Sequence, residues 1–371
     1  MGYQDYINQL DGKVRAKVQD IGTILFEKIK NFTVKKNHVA IDIGSHSVKC
    51  VEIFFDKAKD DSSVIKLLNA SIVPLGPNQT QNMTIDVIKE ALEKAGITTN
   101  FVNIAVGGEN VVVRNIRIPR MSKEDLANAM KFEADKYIPF SAEEVFLDFH
   151  VVPDVVSDGR MHVLLAAAKK SLILKKINII REAGYECGLV DIDSFAVINA
   201  FLTTRTKIDD AMPVALLDIG ATCSKLNILL GKSPQFTRDL IIGGNDMTEA
   251  IADALDVSFD EAERLKEAVP EEKAGEIEEA ITAVFEDLSD EIQRCFDYFE
   301  NQSIHRVEKI FVTGGSSKSD LLTEYLRKVF KVDVVPWDPL DYIPIDESIS
   351  SENLNDMRSL LAVAIGLGLR R

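Results

Sequence analysis

The chain has 371 residues, of which 46% are hydrophobic and 27% charged, and its formal net charge is −16 at pH 7. This length allows two domains with separate cores, and the acidic balance argues against broad nucleic-acid binding, which needs a basic surface. The scattered cysteines form no CxxC pair, and no apolar run reaches the roughly 18–20 residues of a membrane span. We therefore expect a cytoplasmic protein that meets a membrane only peripherally.

Residues 1–36 carry an amphipathic pattern that predicts an N-terminal helical extension. Its apolar positions recur at steps of three and four and form one stripe: Ile7, Leu10, Val14, Val18, Ile21, Leu25, Ile29 and Phe32. Two interpretations stay open. The helix packs on the protein's own surface, or it docks on a partner or an anionic bilayer.

Residues 38–118 predict a β-rich region with one helix. A strand runs into the turn DIGSHSVK at residues 42–49, and a second strand follows it. A further strand is expected at 65–74, a helix at 84–95, and more strands over 101–118.

Residues 119–184 predict a compact α+β insert. A helix at 121–137 follows an N-cap at Ser122, with Asp125 at the capping-box position. Two alternating segments then predict strands, and a helix at 171–183 closes the insert.

The second half restarts with the pattern that opens the first. VALLDIGATCSKLNILL at 214–230 predicts strand, turn and strand, and a third strand ends at Gly243 and Gly244. Residues 245–302 predict acidic helices, and KIFVTGG at 309–315 predicts a strand. The last predicted elements are a helix at 318–330 and an apolar helix in RSLLAVAIGLGLRR at 358–371.

The turns DIGSHSVK at 42–49 and DIGATCSK at 218–225 share Asp-Ile-Gly and the final lysine at the same offsets. A glycine turn between two strands exposes backbone N–H groups that can bind an anion. An aspartate at the end of the first strand can hold a hydrated Mg²⁺ ion. Two such hairpins facing each other would hold a polyphosphate from both sides, so the repeat predicts two similar half-domains with a nucleotide cleft between them.

Five motifs in this order resemble the actin-like ATPase superfamily, which includes actin, the Hsp70 ATPase domain and the division protein FtsA. They are the phosphate motifs at 42–49 and 218–225, the adenosine motif IFVTGGSS at 310–317, and the connecting helices in LVDIDSFAVINAF at 189–201 and LAVAIGLGL at 361–369. The resemblance implies an α/β, two-domain actin-like (ribonuclease-H-like) fold. Its expected parts are a domain I core at 37–118, 185–205 and 355–371, an insert at 119–184, and a domain II at 206–354 with a helical subdomain at 245–305.

The insert resembles that of the PilM family of type IV pilus assembly, through YIPF after an acidic helix, then EEV and LLAAAKK. This implies an ATP-binding scaffold at the inner face of the bacterial inner membrane. Its insert would bind the N-terminal tail of a PilN-like membrane protein, with Lys131 and Lys136 as candidate contacts. Cytoplasmic motor ATPases and further copies of the chain are additional expected partners.

Two other functions remain open from the sequence. A small-molecule kinase of the same superfamily would need a polar substrate pocket, which the alternating strands of the insert do not suggest. An FtsA-like filament scaffold would carry a C-terminal amphipathic membrane helix, whereas this sequence ends with the second connecting helix.

The resemblance also assigns site residues. Asp42 and Asp218 would position Mg²⁺ through water. The nucleotide would be contacted by Gly44, Ser45, Ser47, Lys49, Gly220, Ala221, Thr222, Gly243, Gly244, Glu263, Lys266, Gly314, Gly315 and Ser316.

Some of these residues have simpler interpretations. Lys49 could be a surface lysine at a strand edge, and Glu263 and Lys266 could be a solvated pair on one helix face. Asp193 matches the water-activating position, but its side chain is shorter than the Glu or Gln often found there, and a helix N-cap would explain it equally well. We therefore expect ATP binding with at most slow ATPase activity.

Overall fold

The computed structural model describes residues 36–57, 63–76, 79–152, 159–205, 212–350 and 354–370. The N-terminal helix predicted at residues 1–36 lies outside these ranges except for Lys36, which is the first residue of a strand. The described strands are β1 Lys36–Ile43, β2 Ser47–Lys57, β3 Ser63–Pro74, β4 Phe101–Val106, β5 Val111–Pro119, β6 Val145–Val152, β7 Arg160–Lys169, β8 Glu186–Ile192, β9 Pro213–Ile219, β10 Ser224–Leu230, β11 Ser233–Leu240, β12 Lys309–Gly314 and β13 Asp333–Pro336.

The described α-helices lie between groups of these strands and after the last strand. They are α1 Gln81–Lys94, α2 Lys123–Glu133, α3 Lys170–Glu182, α4 Asp193–Thr204, α5 Gly244–Leu255, α6 Phe259–Glu267, α7 Ala274–Gln302, α8 Asp320–Phe330 and α9 Ala362–Gly368. Within the described residues, no helix combines the length and apolar character that a bilayer crossing requires.

Two sheets share one topology. The first has the order β3-β2-β1-β4-β8, and the second has the order β11-β10-β9-β12-β13. In each, three consecutive strands pair antiparallel, and two later strands add in parallel next to the first strand of the meander. The doubled turn in the sequence is therefore the visible part of a doubled sheet, and the predicted actin-like α/β fold is confirmed.

The cores explain why these segments become strands and helices. Strand β9 is buried at every position because it lies in the middle of its sheet with helices on both faces. The apolar stripe of α7, which includes Ile277, Phe285 and Ile292, covers one face of the second sheet as its periodicity predicts. The short strand β13, which the sequence analysis did not anticipate, pairs in parallel with β12.

The insert has different limits from the predicted 119–184. Its sheet has the order β5-β7-β6, and β5 pairs with β7 along its whole length from Val111. Helix α3, which the prediction placed in the insert, contributes Ile179 and Ile180 to the core that helix α1 forms with one face of the first sheet. The insert sheet therefore begins eight residues before the expected boundary, and α3 belongs to the first core.

The connecting helices α4 and α9 cross between the two sheets at a glycine. A Cβ atom on Gly366 would overlap the backbone carbonyl of Ala196, so the two helix backbones are in direct contact. Asn199 Nδ2 also donates to Gly366 O at 2.7 Å. This crossing fixes how the two sheets face each other, because each helix contributes to the core that they share.

We expect Gly366→Ala to lower the free energy of unfolding by about 3 kcal/mol, the upper part of the range for overpacked cores, because the added methyl group has no space. Gly275→Ala is the matched control, since a Cβ at Gly275 in α7 meets no atom within 4 Å. Gly275→Ala should raise the free energy of unfolding by less than about 1 kcal/mol. Urea denaturation of both variants measures the difference, and equal stabilities would contradict the close crossing.

Candidate nucleotide cleft

The first hairpin buries an aspartate and a lysine opposite each other. Asp42 on β1 pairs with Lys49 on β2 in the antiparallel ladder, and Lys49 Nζ lies 3.1 Å from Asp42 Oδ2. The turn is closed by Gly44 N, which donates to Ser47 O at 3.1 Å. A Cβ on Gly44 would lie 2.8 Å from Lys49 Nζ, so glycine leaves room for the ammonium group over the turn. Lys49 is therefore a buried ion-pair partner and not a solvated surface lysine.

The second hairpin repeats this arrangement more loosely. Asp218 on β9 pairs with Lys225 on β10, and Lys225 Nζ lies 3.8 Å from Asp218 Oδ2. Gly220 N donates to Cys223 O at 3.1 Å and closes the same kind of turn.

The tips of the two hairpins meet. Thr222 Oγ1 donates to Ser45 Oγ at 3.1 Å, which joins residues far apart in the chain. Ser47, also predicted at this site, is buried at the start of β2. Asp42, Asp218 and the glycine turns consequently lie in one cleft between the two sheets.

Lys225 lies at the centre of the carboxylates in this cleft. Its Nζ atom is 3.8 Å from Asp193 Oδ2 as well as 3.8 Å from Asp218. Asp193 is the first residue of α4, and Ile192 occupies the N-cap position, so the N-cap interpretation of Asp193 is wrong. Gly107 lies against the Asp193 carboxylate, and Asp193 Oδ1 is buried without a hydrogen-bond partner among the described residues.

The electrostatic environment differs between the two hairpins. Burial raises the pKa of Asp42, but the ammonium groups of Lys49, Lys225 and Lys176 outweigh it and hold that pKa below its usual value. Burial raises the pKa of Asp218 above its usual value. Lys225 opposes this effect only in part, because it lies 3.8 Å from Asp218, farther than Lys49 lies from Asp42. Burial lowers the pKa of Lys225, but Asp218 and Asp193 reverse the effect and raise it, so the lysine keeps its proton.

Three residues of this centre were missing from the predicted site: Lys225, Asp239 and Gly108. Asp239 Oδ2 on β11 accepts a hydrogen bond from Gly108 N at 2.8 Å, which ties the second sheet to the loop after β4. Lys225 could have been found, since it repeats the offset of Lys49 within its motif. The bond between Asp239 and Gly108 has no local signal, because the two residues belong to different halves.

The glycine pair after β11 packs directly on the second hairpin. Gly244 N donates to Gly220 O at 2.9 Å, and Asn245 N donates to Ala221 O at 2.8 Å. A Cβ on Gly243 would lie 2.8 Å from Gly220 O, so this approach requires glycine. The predicted residues Gly220, Ala221, Gly243 and Gly244 are thereby brought together at one wall of the cleft.

Lys266 and Glu263 are not a simple solvated pair. Lys266 Nζ donates to Gly244 O at 2.9 Å, to Thr248 Oγ1 at 2.6 Å and to Glu263 Oε2 at 2.7 Å. Burial raises the pKa of Glu263, but hydrogen bonds from Lys266 and Thr248 outweigh it and lower the pKa. This network fastens α6 to the start of α5 beside the glycine pair, and contact with ribose or base remains a prediction.

The predicted adenosine loop completes the wall. Gly314 has φ +92°, and a Cβ there would lie 2.7 Å from Asp218 Oδ1, so the loop after β12 touches the second hairpin. A Cβ on Gly244 would lie 2.7 Å from Ser316 Oγ. Gly315 follows Gly314 in a short 3₁₀ turn that packs on Leu360.

The donor set agrees with a magnesium ion held mainly through water. Asp42, Asp218 and Asp193 supply carboxylate oxygens, which Mg²⁺ prefers. In the described ranges, no three His, Cys, Asp or Glu side chains converge closely enough to ligate one ion directly. Asp42 and Asp218 would hold the hydrated ion, and the unpaired Oδ1 atom of Asp193 offers a further acceptor for its water.

Comparison with known proteins identifies the family. The family described as type IV pilus assembly protein PilM matches residues 40–371. The chain belongs to the PilM family. A solved PilM–PilN type IV pilus biogenesis complex contains a chain with 28% identity and a TM-score of 0.80, and the match covers 91% of this chain and 99% of that one.

Two further proteins are similar to this chain, one in sequence and one in structure. Cell division protein FtsA of Bacillus subtilis (strain 168) is 23% identical over 263 residues, which cover 62% of this chain and 57% of FtsA. The match therefore spans somewhat more than half of that relative. The ethanolamine utilization protein EutJ from Carboxydothermus hydrogenoformans superposes with a TM-score of 0.53 at 13% identity, over 95% of this chain and 94% of EutJ.

The structure describes the side chain of one of the two lysines predicted to contact the partner. Lys136 is exposed in the turn after α2 and lies 3.2 Å from Glu133. The side chain of Lys131 lies outside the described part of the chain. Met130 and Ala134 on the same segment are fully buried in the core of the insert, so a partner would contact the outer side of this segment.

Proposed function

We propose that this PilM-family protein is a nucleotide-binding scaffold that couples ATP in its cleft to a membrane partner on its insert. The observation that carries the proposal is the pair of hairpins that meet at Ser45 and Thr222, each with an aspartate opposite a lysine. Membership of the PilM family supplies the pilus-assembly role.

The residues of the cleft suit a triphosphate with magnesium. The turn amides around Gly44 and Gly220 would bind phosphate oxygens from opposite sides, and Lys49 would add a charge-assisted bond. Magnesium would neutralise phosphate charge, with Asp42 and Asp218 orienting its water. The contacts of Gly243, Gly244 and Gly314 with the second hairpin hold the turn at Gly220 in place.

Slow hydrolysis is the expected consequence of the position of Asp193. A general base must accept a proton from the attacking water at hydrogen-bond distance. The Lys225 ammonium, 3.8 Å away, and Gly107 crowd one side of the short Asp193 side chain, which leaves its Oδ1 atom as the acceptor for a water. We propose that the nucleotide acts mainly as a ligand that sets the closure of the cleft.

The insert is the proposed partner surface. Strand β6 is an edge strand of the sheet β5-β7-β6, and an extended tail could add to such an edge. The resemblance to the solved PilM–PilN complex supports the N-terminal tail of a PilN-like membrane protein as the ligand. Binding that tail would hold the protein at the inner face of the inner membrane, where it could contact pilus motor ATPases.

We expect Asp42→Ala and Asp218→Ala each to weaken Mg·ATP binding by more than about tenfold, because each removes part of the shell around the hydrated ion. Asp287→Ala on the exposed face of α7 removes the same charge away from the cleft and should leave the affinity unchanged. Isothermal titration calorimetry measures all three variants. Unchanged affinity in both cleft variants would refute the assignment of the site.

Charge reversal on the insert should weaken binding of the partner tail without changing ATP binding. Lys136→Glu, alone or with Lys131→Glu, should weaken capture of a synthetic PilN-like tail peptide by about fivefold or more and leave ATP affinity intact, since charge complementarity contributes to such contacts. Lys94→Glu is the matched control, because Lys94 on α1 forms a similar exposed helical pair with Glu90.

Fluorescence anisotropy of the labelled tail, with calorimetry for ATP, measures both activities. Equal loss of tail and ATP binding would indicate misfolding. Full retention of tail binding in the double variant would move the partner surface away from this segment.

A further inference from the structure

Lys225 is a buried lysine that lies between two carboxylates without a direct hydrogen bond to either. Only 11% of its side chain is exposed, and its Nζ atom is 3.8 Å from both Asp193 Oδ2 and Asp218 Oδ2. Both distances exceed the 2.7–3.2 Å of a direct hydrogen bond. The ammonium group therefore lies between two carboxylates and is bonded directly to neither.

Two other ion pairs with limited exposure have a different geometry. Arg370 is bonded through two nitrogens to Asp191, and Arg358 is bonded directly to Asp338. Such pairs satisfy both partners, whereas Asp193 keeps a buried Oδ1 atom with no partner in the described structure. The arrangement around Lys225 thus leaves donor and acceptor capacity for a ligand.

The positions of the charged groups show which cation balances the carboxylates of the cleft. Lys49 lies 3.1 Å from Asp42, whereas Lys225 is the described cation that lies within 4 Å of both Asp193 and Asp218. Asp239 on β11 adds a third carboxylate within its electrostatic reach. A polyphosphate entering beside Gly220 would add more negative charge, which a buried site admits only with compensating cations.

We propose that the Lys225 ammonium is a built-in cation of the nucleotide cleft, which neutralises Asp193 and Asp218 and replaces part of the charge that a divalent metal ion supplies. A lysine ammonium is a compact charge with three donors, so it can serve carboxylate and phosphate oxygens together. The inference rests on the proposed nucleotide binding. Its consequence is that a nucleoside triphosphate retains substantial affinity when divalent metal is removed.

The test compares ATP affinity in excess Mg²⁺ with that in excess EDTA, by calorimetry on the full chain. The wild type should lose about 10- to 100-fold in affinity on metal removal and keep measurable binding, whereas Lys225→Met should lose at least about tenfold more than the wild type does. Lys232→Met, in the exposed turn between β10 and β11, removes the same charge at the far end of β10 and should behave like the wild type.

A second measurement needs no nucleotide. In Lys225→Met the position between Asp193 and Asp218 can accept a divalent ion, so Mg²⁺ alone should raise the melting temperature of this variant more than that of the wild type. Lys232→Met and Lys225→Arg should show the small wild-type shift, because both keep a cation between the carboxylates.

The outcomes separate this inference from the proposed function. A wild type that binds Mg·ATP tightly but loses nearly all affinity in EDTA overturns the role of Lys225 and leaves nucleotide binding intact, whether or not the variants fold. Equal metal dependence in Lys225→Met and the wild type overturns it as well. A wild type that binds no nucleotide under either condition overturns both proposals.

Discussion

The burial of aspartates from two separate halves in one cleft depends on the lysine opposite each of them. Ionised carboxylates removed from water need paired cations, and the strand registers Asp42–Lys49 and Asp218–Lys225 supply them. A slip of one residue in either hairpin would turn the lysine to the other face of its sheet. The charge balance of the cleft therefore constrains the register of both hairpins and the length of both turns.

The second constraint is how closely the halves approach. Helices α4 and α9 cross at Gly366, and α4 begins with Asp193, so the crossing also positions a carboxylate in the cleft. Strand β11 is bonded to the loop before the insert through Asp239 and to strand β5 through Asn115, which donates to Pro234 O at 3.2 Å. The position of the insert consequently depends on how far the cleft is closed.

Local signals in the sequence predicted most of this architecture. The glycine turns, the strands on either side of them and the stripe of α7 depend on neighbours within a few residues, and each forms as expected. The start of the insert at Val111 was missed because the partner of β5 is β7, which comes much later in the chain. Lys225 was missing from the predicted site, because its ion pair with Asp193 joins the second hairpin to a helix that is remote from it in the sequence. Errors thus occurred where long-range pairing decides the structure.

The central claim is that the two hairpin tips hold a triphosphate between them. A crystal structure with Mg²⁺ and a non-hydrolysable ATP analogue tests it most directly. We expect phosphate density between Gly44 and Gly220, with the hydrogen bond between Ser45 and Thr222 replaced by contacts from each tip to phosphate oxygens. An analogue bound elsewhere, or tips still joined to each other at saturating analogue, would contradict it.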